Sequence, residues 1–196
     1  MSKEKNVKAL SGYLMLLVAL ICLGGSAGLF IVRFIPVAIP LAIIGILILT
    51  GFFYINPNGS IVLTLFGAYK GTVRENGFYW ANPFYTKKRI SLRARNFDSE
   101  RVKVNDMLGN PIMISVILVW KVSDTFKAAF EVDDYQNFVR VQTDAAVRKL
   151  AGSYPYDDWE DHDDYKITLR SGMGEVNEAL EKELCERLQI AGIEVM

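Results

Sequence analysis

Histidine occurs once in this chain, at His162, and cysteine twice, at Cys22 and Cys185. That is too few for the His/Cys clusters of structural zinc, and two cysteines so far apart, one of them inside an apolar run, encode no disulfide framework. Charge is missing from a long stretch: between Ala9 and Tyr69 the one side chain charged at neutral pH is Arg33. No water-soluble domain surface tolerates such a run, so a fully soluble protein is excluded. A P-loop is absent, and Gly172 and Gly174 lack the third glycine and the preceding strand of a dinucleotide fingerprint. No serine or cysteine has a histidine base near it in sequence. No catalytic residue, cofactor or metal is therefore expected.

What is present begins with two apolar segments. Ala9 to Val32 is 24 residues without charge and Phe34 to Ile55 is 22, each longer than the ~20 residues that cross a bilayer core. One helix through both would be about 70 Å long. The chain must therefore turn near Arg33, where Pro36 and Pro40 disfavour an unbroken helix. The expected organisation is a basic tail over residues 1–8, a transmembrane helical hairpin over 9–55 with spans at about 10–32 and 35–55, and a domain over 57–196. A cleaved signal peptide is the rival reading of Lys3, Lys5 and Lys8 before an apolar stretch, but signal h-regions run to roughly 7–15 residues. Lys3, Lys5 and Lys8 on one side, with Lys70, Arg74 and Lys87-Lys88-Arg89 after the hairpin, place both ends in the cytoplasm by the positive-inside rule. A shallow re-entrant hairpin in one leaflet returns the chain to the same side and stays open. Within the first span, Gly24-Gly25-Ser26-Ala27-Gly28 matches a nucleophile-elbow pattern without its strand, turn and base. Close helix packing through Gly24 and Gly28, at small-xxx-small spacing, is the plainer reading.

The chain has 22 basic and 22 acidic residues, and the zero sum hides a gradient. Residues 1–56 carry +3, residues 57–121 carry +6 and residues 122–196 carry −9. Lys87, Lys88 and Arg89 stand close in sequence to Tyr79 and Trp80, which suits contact with anionic headgroups and the aromatic belt of a bilayer interface. A nucleic-acid groove is the sharper alternative, and no nucleic-acid motif accompanies it. Asp157 to Asp164 packs six carboxylates and His162 into eight residues. The spacing of a calcium loop is missing, so this reads as a solvated loop whose last acids favour a helix N-terminus.

After the exit turn Asn56-Pro57-Asn58-Gly59, strands are expected at Ser60–Phe66, Arg89–Phe97, Arg101–Asn105 and Ile112–Val122, the last central and covered on both faces. Asp124 caps a short helix, and Asp133 or Asp134 opens a longer one bearing Phe138, Val141, Ala145 and Leu150. Val176, Leu180, Leu184 and Leu188 form the stripe of a late amphipathic helix, as core or as protomer contact, with Gly192 ending it before a short strand. The fold class is α+β, a small mostly antiparallel sheet packed with helices.

Phe66-Gly-Ala-Tyr-Lys-Gly-Thr-Val-Arg-Glu-Asn-Gly-Phe-Tyr-Trp-Ala-Asn-Pro83-Phe84 resembles the G-x-x-x-G…G-L-H-W-x-N-P-F element of the SPFH superfamily (band 7, stomatin, prohibitin, flotillin, HflK/C), with Phe78 and Tyr79 where Leu and His are commoner. The likeness continues through Asn110-Pro111, Val119-Trp120-Lys121-Val122, Asp133-Asp134-Tyr135 and Ala191-Gly-Ile-Glu-Val195. It departs at the end, where members continue into a long coiled coil. The resemblance implies a non-enzymatic scaffold at the cell membrane. Such a scaffold forms homo-oligomers, organises membrane microdomains, contacts membrane lipid, and holds or regulates a membrane protease or another membrane protein. A catalytic peptidase subunit using Ser26 and a monomeric anionic-lipid-binding module are the alternatives.

Overall fold

Pairing partners, more than propensity, decide where the strands of this chain stop. The structure is a computed structural model that describes residues 4–157 and 167–196. It falls into two units, Met1–Ser91 and Leu92–Met196.

In the first unit, β1 (Leu10–Ser11) leads into α1 (Gly12–Ile31), a tight turn and α2 (Ile35–Leu49). The strands β2 (Phe52–Ile55), β3 (Gly59–Leu65), β4 (Ala68–Val73), β5 (Gly77–Trp80) and β6 (Tyr85–Ser91) follow. They make two antiparallel three-stranded sheets, ordered β1-β5-β2 and β4-β3-β6. Phe53, Ile55, Ile61, Leu63, Val73 and Ala81 form their shared core. Residues 52–55, placed by the sequence reading inside the second span, are instead a strand. Phe53 and Ile55 are buried among the sheets, so the second helix ends at Leu49. The basic tail is also folded: Lys5 and Val7 exchange backbone hydrogen bonds with Thr72, and the Arg74 guanidinium donates twice to Glu4, at 2.9 and 2.8 Å.

In the second unit, β7 (Arg95–Asp98), β10 (Ile117–Val122) and β11 (Ile193–Val195) form a sheet with β10 in the middle, while β8 (Val102–Asn105) and β9 (Pro111–Ile114) make a separate hairpin. Arg89–Phe97 is thus two strands in two units. β6 ends at Ser91 because its partner β3 begins at Gly59, opposite it. Ile112–Val122 also breaks, at Ser115-Val116, where Val116 and Ser99 exchange hydrogen bonds. β10 is central as expected but covered on one face: Leu118, Trp120 and Val122 are buried, whereas Ile117 is exposed.

Asp124 caps α3 (Thr125–Phe130) and Asp134 caps α4 (Tyr135–Ala151), each carboxylate accepting two backbone N–H bonds. The buried face of α4 is Val139, Thr143, Ala146 and Val147, and Val141 is exposed, so the expected stripe was off by a fraction of a turn. In α5 (Met173–Leu188), Val176, Leu184 and Leu188 are buried and Leu180 is half-buried. Val176, Leu184 and Leu188 thus belong to the core of this unit. Gly192, at φ 67°, takes the left-handed conformation that turns the chain into β11.

Candidate membrane interface

The two ends of the apolar hairpin meet on one residue. Leu10, before α1, and Phe52, after α2, both pair with Trp80 of β5, one from each side. The feet of the hairpin are therefore on the same side by construction.

Between the feet, α1 and α2 pack through small groups. Ala19 and Ala38 are fully buried, Gly45 lies so close to Leu23 that a Cβ there would meet its Cδ2 at 2.7 Å, and the Ser26 hydroxyl donates to the Ala38 carbonyl at 3.1 Å. Gly24 and Gly28 have no such neighbour and lie on the outward face, so they do not carry the packing of α1 on α2. At the tip, Arg33 adopts φ 61° while its N–H reaches Phe30 O and that of Phe34 reaches Leu29 O. This is a Schellman closure with arginine where glycine is usual. α1 is long and apolar enough to cross a membrane, and α2 is a shorter apolar helix.

The end of α2 is capped from the sheet. Trp80 Nε1 donates to Ile48 O at 2.8 Å, and Lys87 Nζ lies 3.4 and 3.3 Å from the Thr50 and Gly51 carbonyls, over the Phe53 ring. A cation there complements the helix dipole. Burial holds the Lys87 pKa below its ordinary value. Tyr79 is half-buried and packs against the core cluster, its ring 6.0 Å from Phe53. Lys88 and Arg89 are exposed, Arg89 stacking on Tyr54 at 4.7 Å. The outer face of the β1-β5-β2 sheet adds Phe52 stacked on Phe78 at 5.2 Å and Tyr13 edge-on to Phe78 at 5.5 Å. A cluster of aromatic rings thus surrounds the hairpin base, as bilayer interfaces favour.

The buried Ser26 hydroxyl is spent on a carbonyl. Among the described residues no group of His, Cys, Asp and Glu is placed to hold a metal. Of the acidic segment, Asp157 pairs with Arg170, and residues 158–164, His162 included, lie outside the described residues. The sequence reading missed Asp106 in the β8–β9 turn. This buried carboxylate accepts from Leu108 N and Asn110 N at 3.0 and 2.7 Å, and from Asn110 Nδ2 and Tyr156 N at 3.0 Å each. Burial alone would raise its pKa; the Asn110 side chain and the three backbone donors outweigh that and hold it below its ordinary value.

Residues 53–196 match the SPFH domain / Band 7 family, a span that starts inside β2 and runs through both units. A search of curated proteins finds none that matches. With more than half of its residues inside the family match, the chain belongs to the SPFH domain / Band 7 family.

Proposed function

We propose that the chain is a membrane-anchored scaffold: the hairpin enters the cell membrane from the cytoplasm, and the SPFH domain self-assembles beneath it to organise a membrane patch. There it holds or regulates partner membrane proteins such as proteases. The family is broadly one of membrane-associated, generally non-catalytic scaffolds. The observation that carries the reading is the shared pairing of Leu10 and Phe52 on Trp80, which joins an apolar hairpin to the family domain through its own strand. An anchor built this way confines the domain to a plane, which raises its effective concentration and lets weak lateral contacts assemble it.

The first test is the mass of full-length protein in a mild detergent, by light scattering corrected for bound detergent. Assemblies of many copies are expected; monomers across the accessible concentration range would sink the scaffold and leave a monomeric lipid-binding module. Orientation is read with single cysteines at Arg33 and Asn58, probed in intact cells with a membrane-impermeant maleimide. A multi-pass hairpin is labelled at the tip and protected at Asn58, whereas a re-entrant one is protected at both. Labelling at Asn58 would overturn the cytoplasmic assignment.

A further inference from the structure

Phe66 is the large apolar side chain the fold does least with. It is 88% exposed, and its ring meets that of Phe84, itself 65% exposed, at 6.4 Å. Its backbone also runs against its chemistry. Phe66 and Gly67 are the two loop residues of the β3–β4 hairpin, at φ 48° and 84°. Two positive φ values in a two-residue hairpin favour Asn-Gly. A phenylalanine in the first position meets the left-handed clash that asparagine tolerates better. The turn would thus form more easily without the ring.

Position in the unit supplies a reason for it. β2 runs away from the hairpin feet to the Asn58 turn, and β3 runs back, so Leu65 and Phe66 return to the end where the feet are. β5 reaches the same end at Trp80, and the chain continues through Phe84 to Tyr85, which pairs with Leu65. Two residues further along β6, Lys87 touches the last carbonyls after α2. Phe66 and Phe84, both exposed, therefore lie at the hairpin-proximal end of the unit.

We infer that Phe66 and Phe84 form a second membrane contact, an aromatic wedge seated in the headgroup and upper acyl region of the leaflet that the hairpin enters. The inference rests on the membrane-anchor reading. It adds that the base of the domain lies against the lipid rather than standing off from it. Aromatic rings favour that depth. Two anchors apart from each other fix the tilt of the unit, which a hairpin alone does not.

The test uses the full chain with Cys22→Ala and Cys185→Ser, in vesicles of phosphatidylethanolamine and phosphatidylglycerol. A fluorophore is placed on a single cysteine at Ala68 beside the wedge, at Asn58 at the far end of the same strands, or at Ile46 on the outward face of α2. Quenching by lipid bearing a shallow doxyl group is compared with quenching by aqueous iodide. Position 68 is expected to be quenched by lipid and severalfold less by iodide than position 58. Adding Phe66→Asn, which keeps the turn chemistry and removes the ring, should return position 68 to the behaviour of position 58. Lipid quenching at 46 with iodide quenching at 68 equal to that at 58 overturns the wedge and leaves the hairpin standing. An unchanged position 68 in the Phe66→Asn chain also overturns it. Absence of lipid quenching at 46 removes the anchor and the wedge together.

Discussion

Replacing Asp106 with alanine removes the acceptor of four hydrogen bonds at once, three from backbone N–H groups and one from the Asn110 side chain. Hydrogen bonds to a charged group each contribute about 1.5–3 kcal/mol. The four do not add, because donors at a turn regain water once the carboxylate is gone. A net loss of about 3 kcal/mol is expected. In a unit of roughly 100 residues that lowers the melting temperature by about 12 °C or more. The loss has an address: Tyr156 N–H ties the segment before Asp157 to the turn, so exchange at Leu108, Asn110 and Tyr156 should accelerate before the rest of the unit responds.

The same perturbation has a sign in pH. The folded-state pKa of Asp106 lies below its ordinary value of 3.8. Its contribution is therefore fully present above that value and is lost as pH falls through the folded-state value. The stability gap between the native chain and Asp106→Ala should stay constant from about pH 7 to about pH 5 and close as the carboxylate protonates below about pH 4. Thermal unfolding of the full chain in detergent across that range, with amide exchange as the local readout, measures both. A gap under about 1 kcal/mol at pH 7 would refute the four-bond account. A gap that survives unchanged at pH 3 would show that volume, not charge, was lost.

Three further outcomes follow from single contacts. Trp80→Phe keeps an aromatic side chain but removes the pyrrole part of the indole and with it the 2.8 Å bond to Ile48 O; a loss of about 1 kcal/mol or more is expected, with faster exchange at the end of α2. Gly71, at φ 146°, faces Val7 and the Lys5 carbonyl so closely that a methyl group there overlaps both. Gly71→Ala should detach the N-terminal strap at a cost of about 2 kcal/mol or more and expose residues 4–8 to protease. Thr143 Oγ1 is buried without a hydrogen-bond partner among the described residues, so Thr143→Val should stabilise the chain by about 1 kcal/mol, read as a higher melting temperature.

Which of these features the sequence discloses depends on how local their causes are. Asp124, Asp134 and Gly192 were readable because a cap or a left-handed stop acts within three or four residues. The end of β6 was not, since nothing near Ser91 says that its partner strand begins at Gly59, thirty-two residues earlier. The packing face of the hairpin was hidden for another reason. In helices apolar all round, periodicity carries no signal, and the Gly24 and Gly28 pair looks as suitable as Ser26 and Gly45, which make the contact. Asp106 sat in a turn plain enough to predict, yet its link to Tyr156 lies fifty residues away. Lys87 and Trp80 were picked for their chemistry, and their hydrogen bonds to the end of α2 were invisible until the strands had been registered.

The β1-β5-β2 sheet bears on how a hairpin and a domain come to move as one body within the first unit. Its outer strands are the two chain segments that become the helices, and one strand, β5, lies between them. Neighbouring strands are spaced about 4.8 Å, so the two feet stand roughly 10 Å apart. Packed helices sit about 8–10 Å apart. The sheet therefore sets the feet at the separation that α1 and α2 adopt when Ser26, Gly45 and Ala38 meet, and neither element has to splay to accommodate the other. Trp80 lies opposite both feet and hydrogen-bonds the end of α2, which leaves the hairpin little freedom to rock against the sheet. A tilt of the helices must then turn the strands of this unit with them, which a flexible tether after α2 would not enforce.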